Sequence, residues 1–281
     1  MGFLFAFLAV FCESLGKTVD KVNFRKNRIT YRQSLLLCFF GMTVLILAFI
    51  LITKQPFPHF TPLVLSLTGL IVLFSFGGNV FDEISLKADD LSLREPMVDF
   101  EPILAGLVGY ALFPAERKPI FLLAFVLGAL VVYWGTHRRK LRRLQKKGMT
   151  YLLLAAIFYA FLPSIYKLSL PYMSPAYISF FRASSILVLL AIFLPVRRIS
   201  KLSSAKIRYS FAAAIIYSVE AIVSIYAIKS LGVVLTMVLL MLGPALRYWS
   251  SSFILKEKIR AGEMASSFLL AIIVFVSVVK L

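Results

Sequence analysis

Between Ser34 and Thr53 the chain reads LLLCFFGMTVLILAFILI, a run without a charged residue and with a single hydroxyl, Thr43. A helix rises 1.5 Å per residue and the hydrocarbon core of a bilayer is about 30 Å thick, so roughly 20 such residues cross it. Comparable runs recur along nearly the whole sequence. Ten spans are expected, over 2–20, 33–53, 60–82, 89–113, 118–135, 149–169, 175–194, 208–228, 231–254 and 262–280. They leave no stretch for a separate soluble domain. In lipid each segment must satisfy its own backbone hydrogen bonds, so the expected fold class is an all-α integral membrane protein of about ten transmembrane helices. Composition agrees: 60% of residues are hydrophobic and only 16% charged, where a soluble domain carries about a quarter. The opening run from Gly2 to Val10 is similar to a signal-peptide core. It lacks a basic start, and Glu13 follows without a small-residue cleavage site, so it is read as the first span.

The chain has 31 Lys and Arg against 13 Asp and Glu, a formal charge of +18. The position of this excess argues against nucleic acid, because the cations gather in short loops between apolar runs rather than on a face interleaved with aromatics. Arg25, Lys26, Arg28, Arg197, Arg198, Lys256 and Arg260 fall on one side; Lys54, Arg117 and Lys118 fall on the other. The positive-inside rule makes the richer side cytoplasmic. The expected localisation is therefore the cell membrane, multi-pass, with both termini outside. The most basic stretch is His137-Arg-Arg-Lys-Leu-Arg-Arg-Leu-Gln-Lys-Lys147 at the midpoint.

That linker, 137–147, separates a first unit, 1–136, from a second, 148–281. Lys87 and Lys229 are 142 positions apart, as are Pro102 and Pro244. One inserted residue near Pro114 then brings Glu116 onto Glu257. Nearby shifts match Lys21 with Lys167 and Tyr31-Arg32-Gln33-Ser34 with Phe181-Arg182-Ala183-Ser184. The shared order points to duplication. Five spans is an odd number, so two such repeats insert in opposite directions, the plan of many secondary transporters.

The motifs are Pro175-x-x-x-Ser-Phe-Phe-Arg182, then Leu231-Gly232 through Leu242-Gly243-Pro244 to Lys256-Glu257-Lys258, with Gly262 beyond. The first half repeats them as Tyr31-Arg32, Pro102 and Phe113-Pro-Ala-Glu116. On these residues the sequence resembles the drug/metabolite transporter superfamily, in its ten-helix EamA-type branch. The resemblance implies a central cavity built mainly by spans 1, 3, 4, 6, 8 and 9. It also implies transport of amino acids, sugar phosphates, nucleotide sugars or other metabolites, often outward. Span 4 departs from the family pattern: Ala88-Asp-Asp-Leu-Ser-Leu-Arg94-Glu95-Pro96-Met-Val-Asp99-Phe-Glu101-Pro102 is far more charged.

A charge at mid-bilayer costs about 2.5–3.5 kcal/mol on insertion scales and so faces the bundle interior. Arg94 and Glu101 are seven apart and share a helix face; Glu95 and Asp99 share an adjacent one. Asp89 and Asp90 are expected at the interface. Span 8 offers Glu220 with Tyr217 and Ser224 on the same face. Span 9 places Arg247 one turn after Pro244, either to clamp an anion or to neutralise Glu220 or Glu101. Span 6 contributes Tyr159, Pro163 and Tyr166; span 3 contributes Ser75, Asn79 and Asp82, the last near the cytoplasmic mouth. Glu13 and Lys17 are four apart and are expected to pair with each other. Arg32 and Arg182 are read as helix-end packing residues. The expected substrate-binding or coupling set is Asp99, Glu101, Arg94, Glu220, Arg247, Tyr217, Tyr159 and Asn79.

No nucleophile with an oriented base, phosphate loop or metal-ligand cluster is visible. His59 and His137 are isolated, and Cys12 and Cys38 form no framework. No catalytic residue, metal or cofactor is expected, and the chain is not read as an enzyme. The reading is a secondary transporter of a small polar metabolite, amino-acid-like or otherwise charged. It works by alternating access as an exporter, with the lipid bilayer and a small-molecule substrate as partners, as a monomer or homodimer. Desolvation favours neutral acids, so protons are a further expected partner, with Glu220, Asp99 and Glu101 as carriers. A non-transporting membrane scaffold and an intramembrane enzyme are the alternatives.

Overall fold

The computed structural model describes residues 1–88, 98, 100–137, 146–193, 202–256 and 261–280. The chain is a bundle of helices: α1 Gly2–Asn27, α2 Tyr31–Thr53, α3 Pro62–Ala88, α4 Phe100–Leu112, α5 Pro119–His137, α6 Lys146–Ser169, α7 Pro175–Phe193, α8 Ser204–Leu231, α9 Val233–Leu240, α10 Gly243–Leu255 and α11 Ala261–Val279. Seven spans, counting α9 and α10 as one, are long and apolar enough to cross a bilayer; α4, α5 and α11 are apolar over shorter lengths. No strand occurs among the described residues.

Local chemistry sets the ends. Thr30 and Gln33 form a reciprocal capping box at the start of α2, with Gln33 N–H donating to Thr30 Oγ1 at 3.3 Å and Thr30 N–H donating to Gln33 Oε1 at 3.1 Å. These contacts satisfy donors that a helix start leaves open. Arg28, Lys54 and Lys256 adopt left-handed conformations that stop α1, α2 and α10. Several helices outrun the sequence expectation: α1 continues to Asn27, α3 to Ala88, and α8 begins at Ser204 and ends at Leu231. Their extra turns are polar or basic, as suits helix continuing beyond the apolar layer. Arg25 and Lys26 accordingly stand in the last turn of α1 rather than in a loop.

Span 9 is broken. α9 ends at Leu240 and α10 restarts at Gly243, with Met241 and Leu242 in a turn between them. Pro244 has no N–H to give to the carbonyl of Leu240, and its ring crowds that carbonyl. Pro102 stands in the first turn of α4; the expected charged start of span 4, with Asp89, Asp90, Arg94, Glu95, Pro96 and Asp99, lies outside the described residues. So do 138–145 of the basic linker, Arg197, Arg198, Glu257, Lys258 and Arg260.

The polarity of the bundle is inverted relative to a water-soluble one. Ile52, Phe253 and Phe275 point outward and are at least two-thirds exposed, while Asp20, Lys21, Asp82, Glu83 and Arg247 are each under a tenth exposed. An apolar belt of that extent fits lipid rather than water. Inside, α1 lies along α8 and α3 along α6, the two most extensive packings. α2 meets α7, α4 meets α9 and α6, α5 meets α11, and α1 also meets α10. Close approach depends on missing side chains at a few points. A Cβ on Gly16 would run into the Tyr217 ring, and one on Gly78 into Tyr159, so small residues let α1–α8 and α3–α6 come together.

Candidate functional site

The close packing of α1 on α8 and of α3 on α6 leaves a central cavity of about 160 Å³ between them, walled also by α2, α4, α7, α9 and α10. Six of the eight residues expected from sequence face it: Glu101, Glu220, Arg247, Tyr217, Tyr159 and Asn79. The other two, Arg94 and Asp99, lie outside the described residues. Spans 1, 3, 4, 6, 8 and 9 all contribute, as the resemblance implied. Spans 2 and 7 add to them, through Cys38, Phe39 and Met42 on α2 and Arg182 on α7.

The charge pairing differs from the sequence expectation. Glu13 and Lys17 do not pair with each other. Lys17 Nζ forms an ion pair with Asp82 on α3, and Glu13 Oε1 accepts from Arg247 Nη1 on α10 at 3.0 Å. Tertiary packing offers each a partner on another helix with better burial than an exposed i,i+4 pair has. Arg247 thus neutralises Glu13 rather than Glu220 or Glu101, and it is 3% exposed. Removing one partner of such a pair leaves an uncompensated buried charge. Asp82 is not at a helix end; α3 runs six residues past it and carries it into the cavity wall. Arg182, read from sequence as a helix-end packing residue, lines the cavity.

Neighbouring contacts hold these charges in place. Tyr217 donates its hydroxyl to Asp20 Oδ2 at 2.8 Å, and its ring faces Lys17 Nζ at 5.9 Å. Thr18 and Ser250 hydroxyls meet at 2.8 Å between α1 and α10. Lys21 Nζ donates to the Leu86 carbonyl at 2.8 Å, tying α1 to α3. Asn79 spends its amide on the Ser75 carbonyl at 2.7 Å, within its own helix. Among the described residues, Glu101, Glu220 and Arg182 line the cavity without an ion pair. A pocket with unpaired charges of both signs can hold a polar solute in place of bulk water.

A second cluster sits at the end of the bundle where α4, α6 and α8 finish. Glu116, in the short 3₁₀ turn Pro114–Glu116, forms an ion pair with Lys167 near the end of α6. Its other oxygen accepts from Val234 N–H at 2.8 Å, at the start of α9. That carboxylate meets the positive end of the α9 dipole. Lys167 Nζ also lies 4.3 Å from the centre of the Phe113 ring. Gly232, which joins α8 to α9, has φ +83°, and a Cβ there would overlap the Glu116 carboxylate. Sequence reading matched Glu116 to Glu257 but gave it no role. The signal was available: an acid followed by basic residues at a span end, opposite a glycine that opens the next span.

Residues 146–279 match the EamA-like transporter family. No curated protein matches the chain. Among solved structures, 28 chains match. One crystal structure covers 100% of this chain and 99% of its own, with a TM-score of 0.76 at 15% identity. That likeness concerns the fold. With the membrane-length helices and the inward-facing charges, these findings lead to one assignment: the chain carries an EamA-like transporter family domain over residues 146–279, and its all-helical, multi-pass architecture fits the drug/metabolite transporter superfamily.

Proposed function

We propose that the protein is a secondary transporter that carries a small polar metabolite through the central cavity by alternating access, as an exporter. The observation that carries this reading is the cavity itself. Glu101, Glu220 and Arg182 face it without ion pairs, inside a bundle whose outer surface suits lipid. Unpaired charges at that depth are costly unless water or a solute occupies the space. Within the reading, Glu101, Glu220, Tyr159, Tyr217 and Asn79, together with Asp99 and Arg94, form the substrate and coupling set. Arg247 acts through Glu13, and Glu220, Asp99 and Glu101 carry protons. Both termini lie outside, the basic loops are cytoplasmic, and the unit is a monomer or homodimer.

The inverted-repeat plan, 1–136 and 148–281 around the 137–147 linker, gives the motion. Exchanging the halves maps span 1 to 6, 2 to 7, 3 to 8, 4 to 9 and 5 to 10. The α1–α8 packing then maps onto α6–α3. The α4–α6 packing maps onto span 9 against α1. The α2–α7, α4–α9 and α5–α11 packings map onto themselves. Such an interface can rock about its centre and present the same site to either face.

The test is flux. Purified protein is first screened for ligand-dependent melting across amino acids, nucleosides and sugar phosphates, because a ligand that binds only the folded state raises apparent stability. Hits are then loaded into reconstituted vesicles. Counterflow above that of protein-free vesicles, reduced by Glu101→Gln, is the expected result. A folded protein that binds a hit and moves none of it would sink the transport reading and favour a scaffold.

A further inference from the structure

We propose that Arg182 and Tyr166, backed by Ser75, form an oxyanion subsite at one corner of the cavity, which takes the carboxylate or phosphate group of the carried solute. The inference rests on the reading of the cavity as the transport site and adds to it a chemical polarity.

Three observations converge. The Tyr166 ring is buried to 6% exposure against the cavity, and its hydroxyl has no hydrogen-bond partner. The Ser75 hydroxyl, fully buried on α3, has none either. This is unusual for a helical serine, which commonly bonds back to the carbonyl one turn earlier. Arg182 lines the same cavity, and its Nε is buried and unpartnered. The three groups are neighbours: the Tyr166 hydroxyl lies within hydrogen-bonding reach of both the Ser75 hydroxyl and the Arg182 guanidinium, but none of these contacts has good hydrogen-bond geometry. Buried polar groups are nearly always satisfied, and each exception needs an explanation. Here the exceptions gather at one place beside a fixed positive charge: the Arg182 Nε–H can only donate, and the two hydroxyls, which can also accept, still have a proton to give. An acceptor entering from the cavity would satisfy Arg182, which has no ion pair there, and a planar guanidinium fits an oxyanion by two parallel bonds.

The other cavity arginine is not free for this task. Arg247 is tied to Glu13. Glu220 lies near Arg182 without forming an ion pair with it, so it tempers the charge without filling the donors. An organic cation would meet the guanidinium at this corner and be repelled.

The test uses solutes of similar length: butanedioate, 4-aminobutanoate, glycerol 3-phosphate and 1,4-diaminobutane, offered to the intact protein in detergent at matched ionic strength. Binding is read by melting and by titration calorimetry. At least one oxyanion probe is expected to bind more tightly than the diamine; whether carboxylate or phosphate wins identifies the source of the oxyanion. Tyr166→Phe removes only an unpartnered hydroxyl, so ligand-free melting should hold while oxyanion affinity falls about tenfold. Arg182→Lys should lose a similar factor, because an ammonium offers no fork. Preferential binding of the diamine, binding of no probe, or oxyanion affinity unchanged in Tyr166→Phe would each overturn the subsite. Oxyanion binding that depends on Tyr166 without any vesicle flux would leave the subsite standing and remove the transport reading. Flux of an oxyanion insensitive to both variants would do the reverse.

Discussion

Replacing Gly232 by Ala should do two separable kinds of damage. The first is backbone strain. Gly232 has φ +83° and ψ 173°, a region open essentially to glycine alone, and another residue held there costs about 1–3 kcal/mol. The second is displacement of Glu116, whose carboxylate occupies the space a Cβ would take. Glu116 would lose its bond from Val234 N–H, now 2.8 Å long, and its pairing with Lys167. A hydrogen bond to a charged group contributes about 1.5–3 kcal/mol. The Lys167 side chain is 30% exposed, so its share belongs at the lower end. In a Glu116→Ala background only the strain remains. Gly232→Ala should therefore cost about 1.5–3 kcal/mol less there than in the natural sequence, a coupling typical of residues in contact. Equilibrium unfolding of the four proteins in mixed micelles measures it. An equal cost of Gly232→Ala in both backgrounds would refute the reasoning and reduce Gly232 to a backbone hinge.

Three further outcomes are expected. Arg247→Gln should destabilise the protein by about 1–2 kcal/mol, less than the full cost of a stranded buried charge because the Glu13 side chain is 29% exposed, and Glu13→Gln in the same chain should restore most of it; rescue by Glu220→Gln instead would reassign the pair. Glu101→Gln and Asp99→Asn should each cut transport more than about tenfold, near 1.4 kcal/mol in kcat/KM, with melting little changed. Asp89→Asn and Asp90→Asn should be nearly silent; the opposite pattern would mean that span 4 is drawn in the wrong register. Cysteines placed in the 138–147 linker should label from the cytoplasmic face and one beside Lys54 from the other, and reversed labelling would overturn the orientation.

How much of this was legible in sequence follows from how local each determinant is. The spans were legible because burial in lipid demands long apolar runs, and a proline inside span 9, Pro244, is the local cause of the break between α9 and α10. Charged positions inside spans were legible as interior for the same reason, and polar residues sharing their helix faces followed, which brought Glu101, Glu220, Arg247, Tyr217, Tyr159 and Asn79 to one cavity. Partners were not legible. Spacing favoured Glu13 with Lys17, yet each meets another helix, because helix rotation and crossing decide which interior charges touch. Arg182 was misplaced because its motif lies near the start of α7, where helix-end packing is the commoner role. Helix ends were underestimated wherever polar turns extend past the apolar layer, as at Asn27 and Ala88.

The match between the halves yields one last prediction. In the proposed inverted plan Lys167 corresponds to Lys21 and Glu116 to Glu257, so the two sets are expected at opposite ends of the cavity. One set is seen as the Glu116–Lys167–Val234 contact. Lys21 joins α1 to α3 through the Leu86 carbonyl; Glu257 lies outside the described residues. If rocking opens one end while the other stays shut, neutralising the two acids should bias the protein in opposite directions. Cys38 lines the cavity and is a native reporter. In a Cys12→Ser background, oriented vesicles can be treated with an impermeant maleimide from either face. Glu116→Gln should raise Cys38 labelling from the face where α4, α6 and α8 end. Glu257→Gln should raise it from the face of the basic loops. Coupling of about 1–3 kcal/mol between such contacts and the open state corresponds to a change of about fivefold or more. Increased labelling from the same face in both variants would refute the exchange of halves as the basis of gating, even if the repeats themselves arose by duplication.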